Sequence, residues 1–376
     1  MARAVEASPV PKPRGFRFPF SIKLEPRLET PRWLPWATTL GSVVLALLIT
    51  ALILLWVGAD PIRSFRAIYL AAFGNAGVFS DTLVKATPLI LTALACLIAF
   101  RMRLWNIGAE GQFYLGAWGA TLIVQGVLGK DAPAWVFIPL MLLSGFGFGA
   151  LWGFVPGILK ARFGVNEIIT TLMLNYIALF WVAYWVFGAW SERGFQLTPT
   201  FPRQAWLPRL TDYAALFKPF SGLTVHLGFV FAILAVIGVW YFLARTRFGY
   251  EIRLIGDNPN AAKYAGVNIA AMTILVFMLS GGLAGIAGMS EVSGVVHRLQ
   301  DRISPGYGFT AIIVAWLAKL NPWAVIPVAI LFGGLLIGSR EIQPSGLARL
   351  LQGILLFTLI SSEVLNRYQI KIERVK

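Results

Sequence analysis

The sequence predicts an all-α membrane protein of about ten transmembrane helices, some of them broken or re-entrant, with both termini cytoplasmic. Three observations lead there. The 376 residues are 57% hydrophobic and only 13% charged, against about a quarter charged in soluble domains. Apolar runs of near-spanning length recur, with Lys and Arg gathered between them. Finally, a polar, glycine-rich stretch, Trp105-Asn-Ile-Gly-Ala-Glu-Gly-Gln-Phe-Tyr-Leu-Gly-Ala-Trp-Gly-Ala120, stands where the surrounding hydropathy demands a span. An acidic side chain at mid-bilayer depth costs about 2.5 to 3.5 kcal/mol even on insertion scales, so Glu110 must face protein or a watery cavity.

Residues 1–36 are rich in Pro and Arg and read as a basic, disordered cytoplasmic arm. The run 37–57 is long enough to span and is expected to stay attached, because a cleavable signal needs a shorter apolar region. Further spans read as 83–100, 105–128, 134–159, 166–188, 224–243, 271–290, 306–320, 322–339 and 347–364, so that 37–365 forms one transmembrane domain before a basic cytoplasmic tail, 366–376. Placing the N-terminus inside puts most of the 32 Lys and Arg on the cytoplasmic side. The two short runs, 83–100 and 306–320, read as broken or re-entrant helices, which a membrane tolerates only where protein or a cavity shields the backbone.

In the 134–159 span Gly145, Gly149, Gly153 and Gly157 recur every fourth residue, a pattern that lets a second helix approach closely. Pro156 is expected to bend the end of that span. Ser280, Gly281, Gly282, Gly285 and Gly288 repeat the theme in 271–290. The outside loop 189–223, with four prolines and interleaved aromatics and charges, reads as an ordered external cap. The inside loop 244–270 carries helix signals: Asp257 or Asn258 as N-cap, Pro259 in the first turn and Gly266 as the stop, so a short cytoplasmic helix is expected.

Read as a helix, the insert places Asn106, Glu110, Phe113 and Ala117 on one face and Gly108, Gly111 and Gly119 opposite. The glycine face would pack on a neighbour while the polar, aromatic face looks into a pathway. Glu110 has two readings: it caps a half-helix or holds backbone amides at a break, or it touches a passing solute. The 166–188 span adds Glu167, Thr171 and Asn175 at i, i+4 and i+8, a stripe that either bonds neighbouring helices or lines the same cavity.

Little supports bond-making chemistry. No phosphate-binding loop exists; Gly126-Val-Leu-Gly-Lys-Asp131 lacks both the spacing and the hydroxyl residue. The lone cysteine, Cys96, rules out an intramolecular disulfide framework. The two histidines, His226 and His297, read as interfacial residues rather than ligands, so no metal site is expected. The net charge of +15 follows membrane topology, and nucleic acid is not an expected partner.

Five blocks carry a resemblance: Leu83-Val-Lys-Ala-Thr-Pro-Leu-Ile-Leu91; Trp105-Asn-Ile-Gly-Ala-Glu-Gly-Gln112; Gly164-Val-Asn-Glu-Ile-Ile-Thr-Thr-Leu-Met-Leu-Asn-Tyr-Ile-Ala178; Gly256-Asp-Asn-Pro-Asn-Ala-Ala-Lys-Tyr-Ala-Gly266; and Gly306-Tyr-Gly-Phe-Thr-Ala-Ile-Ile-Val-Ala315 with Leu320-Asn-Pro322. With these the chain resembles the permease subunits of bacterial ABC importers of the branched-chain amino acid and simple-sugar superfamily, nearest the nucleoside group. The resemblance implies an inner-membrane subunit that moves a nucleoside, or alternatively a simple sugar, without an ATPase site or cofactor of its own. ATP and Mg would be used by a cytoplasmic ABC ATPase. It further implies a second permease subunit, related or identical, and an extracytoplasmic substrate-binding protein of the basic membrane lipoprotein type. The loop holding Arg253, Gly256, Asp257, Asn258, Pro259, Ala262, Tyr264 and Gly266 would dock on the ATPase. An ion-coupled secondary transporter is the rival from another class.

Overall fold

The computed structural model describes residues 20–27, 31, 33–129, 131–339 and 347–374. Most of the basic arm, including Arg3, Lys12, Arg14, Arg17 and Arg32, lies outside the described residues, as do Lys130 and the last two residues of the tail. The chain divides into two compact units, residues 1–49 with 354–376, and residues 50–353.

In the first unit, β1 (Phe20–Pro26) pairs antiparallel with β2 (Tyr368–Arg374), bringing Lys23 opposite Lys371 in the register. Where sequence predicts a disordered arm and a plain tail, the described parts of the two form this ribbon. Alternation in Ser21-Ile-Lys-Leu-Glu25 and in Gln369-Ile-Lys-Ile-Glu373 has the period of two that a strand needs, masked in composition by the basic residues around it. The first part of α1 (Leu34–Trp56) and most of α13 (Leu347–Arg367) belong to the same unit, and Thr38 Oγ1 bonds Asn366 Oδ1 at 2.9 Å.

The second unit is built around α3 (Ala76–Arg101). All residues from Thr87 to Phe100 on this helix are buried, which explains a sequence apolar on every side. Far from being short or broken, it begins seven residues before the expected start. Its first turns carry Ser80, Asp81, Thr82 and Lys85, which hydropathy scores against a span, and Asn75 caps it by accepting from Val78 N–H. Ahead of it, α2 (Pro61–Phe73) is a helix that hydropathy missed. Its N-cap Asp60 accepts from the Ile62 and Arg63 amides, and Ile68 and Phe73 meet Gly338 and Gly334 of α12 (Pro322–Gly338).

The expected 105–128 span is not one helix. Residues 104–108 are not helical and lead into α4 (Ala109–Leu122), which continues as a π-helical turn, Ile123–Val127. Asn106 therefore shares no helix face with Glu110, and the glycines of the insert meet different neighbours. Gly111 lies against Asn175, Gly116 against Gly285, and Gly119 against the Phe148 ring.

Next come α5 (Ala134–Phe163), which ends at Gly164 with φ 66°, and α6 (Glu167–Phe187), capped by Asn166. Then follow α7 (Leu227–Arg245), α8 (Arg247–Asp257) and α9 (Pro259–Tyr264). α10 (Ile269–Glu291) passes into a second π-helical turn, Val292–Val296, ahead of α11 (Tyr307–Leu317) and α12. Gly149 and Gly153 of α5 face the carbonyls of Gly281 and Phe277 on α10, while Gly145 and Gly157 face Met289 and Ile274. Gly281 and Gly285 of α10 in turn face the carbonyls of Gly149 and Gly145. Glycine on both helices brings the backbones to a separation that any β-carbon would prevent.

Among the described residues six helices are long and apolar enough to cross a membrane: α1, α3, α5, α6, α7 and α10 with its π turn. α11, α12 and most of α13 are shorter apolar helices. The loop between α6 and α7 is strapped to the segment after α10: Thr198 N–H donates to Leu299 O, Phe201 N–H to His297 O and Leu207 N–H to Ser293 O.

Candidate functional site

The approach to α4 is held by a closed polar network. Asn106, fully buried, donates from Nδ2 to Gln112 Oε1 at 2.9 Å and to Ser280 Oγ at 2.7 Å, while its Oδ1 accepts from Gly108 N–H. Ser280 Oγ in turn donates to the carbonyl of Ala95 on α3. Thus α3, α4 and α10 are joined through one amide, as buried polar groups require.

Glu110 stands in the first turn of α4 and accepts from Gly308 N–H at 2.7 Å. Ser304, which accepts from the Gly306 and Tyr307 amides, also bonds the Glu110 carboxylate. The carboxylate sits over the N-terminus of α11, where the free amides and helix dipole favour a negative charge. Gly308 fits there because a β-carbon would run into the backbone of Glu110. Phe113, with no exposed surface, packs on Tyr307 with ring centroids 5.7 Å apart.

From α6, Asn175 donates to Ile107 O at 2.9 Å and accepts from Gly111 N–H at 2.8 Å; Thr171 accepts from Ile107 N–H at 3.3 Å. Both backbone polar groups of the non-helical Ile107 are thereby bonded by the α6 stripe. Glu167 instead pairs with Lys160 of α5 at 2.7 Å. Asn106, Glu110, Phe113, Thr171 and Asn175 therefore gather around one break in the helical pattern, and Glu167 stands apart.

A second group went unnoticed in sequence. Lys85 of α3 donates to Glu291 Oε1 at 2.8 Å and to Tyr307 Oη at 3.0 Å, and Tyr307 donates to Glu291 at 3.3 Å. Glu291 is 2% exposed and ends α10 where the π turn begins. The available signal was a Lys and a Glu at the polar margins of two apolar runs, each too costly to leave unpaired.

His226 and His297 are buried rather than interfacial. His226 Nδ1 accepts from Gly228 N–H, so its proton resides on Nε2. Burial first, then Arg209, lowers its pKa to about 3 and keeps it neutral. His297 donates from Nδ1 to Ser293 O and accepts at Nε2 from Arg209 at 2.7 Å, under a Trp206 ring stacked 3.7 Å away. Burial and Arg209 hold it down at about 4.

The loop 244–270 forms two helices rather than one. Asn258 caps the second, accepting from the Asn260 and Ala261 amides; Asp257 ends the first. Gly256 lies under the Arg101 carbonyl, and Arg253 donates to Leu243 O. Pro259 starts α9, Ala262 is buried, Tyr264 projects almost fully into the open, and Gly266 turns the chain at φ 76°.

The model of the family described as "Branched-chain amino acid transport system / permease component" matches residues 78–360. The chain belongs to that family. The permease is the translocation subunit of an ABC transporter, a multi-pass protein of the plasma membrane, with ATP hydrolysis carried by partner subunits. It is 32% identical to a glucose ABC transporter permease of Haloferax volcanii, over 93% of this chain and 94% of that one. It is 35% identical to a guanosine ABC transporter permease of Bacillus subtilis, over 79% and 84% of the two chains. A nucleoside ABC transporter permease of Lactococcus lactis subsp. cremoris is 32% identical over 81% and 84%.

Proposed function

We propose that the permease forms the pathway for nucleosides, purine or pyrimidine, in an ATP-driven importer. The 35% identity to the guanosine permease carries this reading. A simple-sugar solute is the second reading, supported by the likeness to the glucose permease over nearly both full lengths.

In this reading the six long helices are completed to ten spans by α4, α11, α12 and α13, with both termini cytoplasmic. A second permease subunit, two ATPases that use ATP and Mg, and a basic-membrane-type lipoprotein that delivers solute complete the assembly. The α8–α9 element docks on the ATPase, with Tyr264 as its projecting contact, and its displacement switches access between the two sides. Asn106, Glu110, Phe113, Thr171 and Asn175 flank the pathway, and Glu167, paired with Lys160, stands at the N-terminal end of the same α6 stripe. Because their polar atoms bond protein in this conformation, contact with solute requires those bonds to be exchanged as the seam opens.

The test is ATP-dependent uptake of labelled guanosine, ribose and glucose into proteoliposomes holding the purified complex and its binding protein. Saturable nucleoside uptake that vanishes without the ATPase is expected. Uptake of sugar alone moves the specificity to the second reading. Wild-type uptake after alanine substitution at Asn106 and at Phe113 removes those two from the pathway.

A further inference from the structure

Three polar atoms at the α10 end have no hydrogen-bond partner among the described residues: Glu291 Oε2, Ser290 Oγ and His226 Nε2. Their residues are 2%, 0% and 3% exposed, deep enough that each atom needs a partner. Ser290 and Glu291 form the last turn of α10, directly before its π-helical turn, a distortion that recurs at functional sites. The His226 ring is lodged between two glycines. A β-carbon on Gly228 or Gly294 would stand 2.6 Å from its Cε1, and the one on Gly228 also 3.1 Å from Ser290 Cβ. Imidazole and serine thus flank one backbone position. Lys85 and Tyr307 engage only Oε1 of Glu291, and its Oε2 is left without a partner.

The chemistry of this set is specific. Glu291 Oε2 only accepts, His226 Nε2–H only donates, and Ser290 does both. Lys85 and Glu291 are paired and His226 is neutral, while the Arg209 guanidinium that also acts on His226 is held by the Gly294 and Val295 carbonyls and by His297, so no unpaired ion in the set calls for a charged ligand. Two adjacent hydroxyls, each able to donate and accept, match the set. We infer that Ser290, Glu291 and His226 form a hydroxyl-binding site that takes the vicinal hydroxyls of the transported solute. This rests on the proposed function, whose two solute classes share a polyhydroxylated ring. Glu291 and Ser290 then discriminate sugar hydroxyls within the permease itself, independently of the binding protein.

The experiment compares uptake of guanosine with its 2′-deoxy and 3′-deoxy forms, each at a concentration that saturates the binding protein, in wild type, Ser290→Ala and Glu291→Gln. If glucose is the transported solute, its deoxy forms replace them. Wild type is expected to favour the intact diol. Each variant should lower that preference about tenfold, the size of one hydrogen bond to a charged or buried group. Ser290→Ala removes only one oxygen, and unchanged maleimide labelling of Cys96 certifies its fold. Equal losses for diol and deoxy solutes, or an unchanged preference, overturn the site and leave the cluster a structural one. Failure of the wild-type complex to import any of these solutes overturns the proposed function and the site with it, and is recognised before any variant is compared.

Discussion

Replacing Glu110 by alanine removes the acceptor that Gly308 N–H faces at 2.7 Å and leaves the N-terminus of α11 without that side-chain partner. A hydrogen bond contributes about 0.5 to 1.5 kcal/mol net, and a buried amide left without a partner costs about 1 to 3 kcal/mol. Solvent does not relieve the loss, since Glu110 is 7% exposed and Gly308 is buried. About 2 to 3 kcal/mol of local stability should therefore vanish. Cys96 is a built-in reporter: it is the single cysteine, has no exposed surface, and lies on α3 with Sγ 3.9 Å from Asn106 O. If maleimide reaches it only through opening of this seam, labelling should accelerate about 30- to 150-fold in Glu110→Ala. Glu110→Gln keeps a neutral acceptor and should fall between. Wild-type labelling of Cys96 in Glu110→Ala, together with abolished uptake, would falsify this structural role and make Glu110 a solute contact instead.

The remaining predictions concern other parts of the chain. Gly285→Val sets a branched side chain against the Gly145 carbonyl, so the α5–α10 seam must separate; folded protein recovered on size exclusion should drop sharply, with Gly238→Val as the tolerated control because nothing lies within 4 Å there. Tyr264→Asp, at a 93% exposed tip, should leave Cys96 labelling unchanged but abolish solute-stimulated ATP hydrolysis by the assembled complex; full stimulation would remove Tyr264 from the docking contact. His297 is held at about 4 against an ordinary 6.5 by burial and Arg209, with Arg203 lowering and Asp212 raising it more weakly. Because its folded pKa is depressed, the unfolded state binds the proton first as pH falls. Stability is complete above about 6.5 and is lost progressively toward pH 4, by up to about 3 kcal/mol. Thermal unfolding between pH 8 and pH 4.5 should show this slope. His297→Gln should flatten it in part, leaving the share of His226, whose window extends to about 3.

Much of the fold was legible because apolar length and glycine spacing are local signals. The runs behind α1, α5, α6, α7 and α10 needed only counting, and the four-residue glycine period of α5 was visible before its neighbour was known. Where polar residues carry a helix, counting failed. The first turns of α3 hold Asp81 and Lys85, α2 is amphipathic and short, and α8 has four charged residues among its eleven, so hydropathy passed over all three. The insert stands out in the sequence, yet a helical wheel misplaces Asn106 and Gly108, because it assumes that residues 105–108 are helical and the helix begins only at Ala109.

The sequence by itself determined that this is a polytopic α-helical membrane protein, that residues 105–120 interrupt its pattern, and that Glu110 must find shielding, since all three follow from composition and the cost of charge in a bilayer. Only the tertiary structure decided what supplies the shielding. Gly308 lies 198 residues beyond Glu110, and Glu291 lies 206 beyond Lys85. No periodicity reaches that far, because partners at such separations are chosen by how helices pack and not by anything written near either residue.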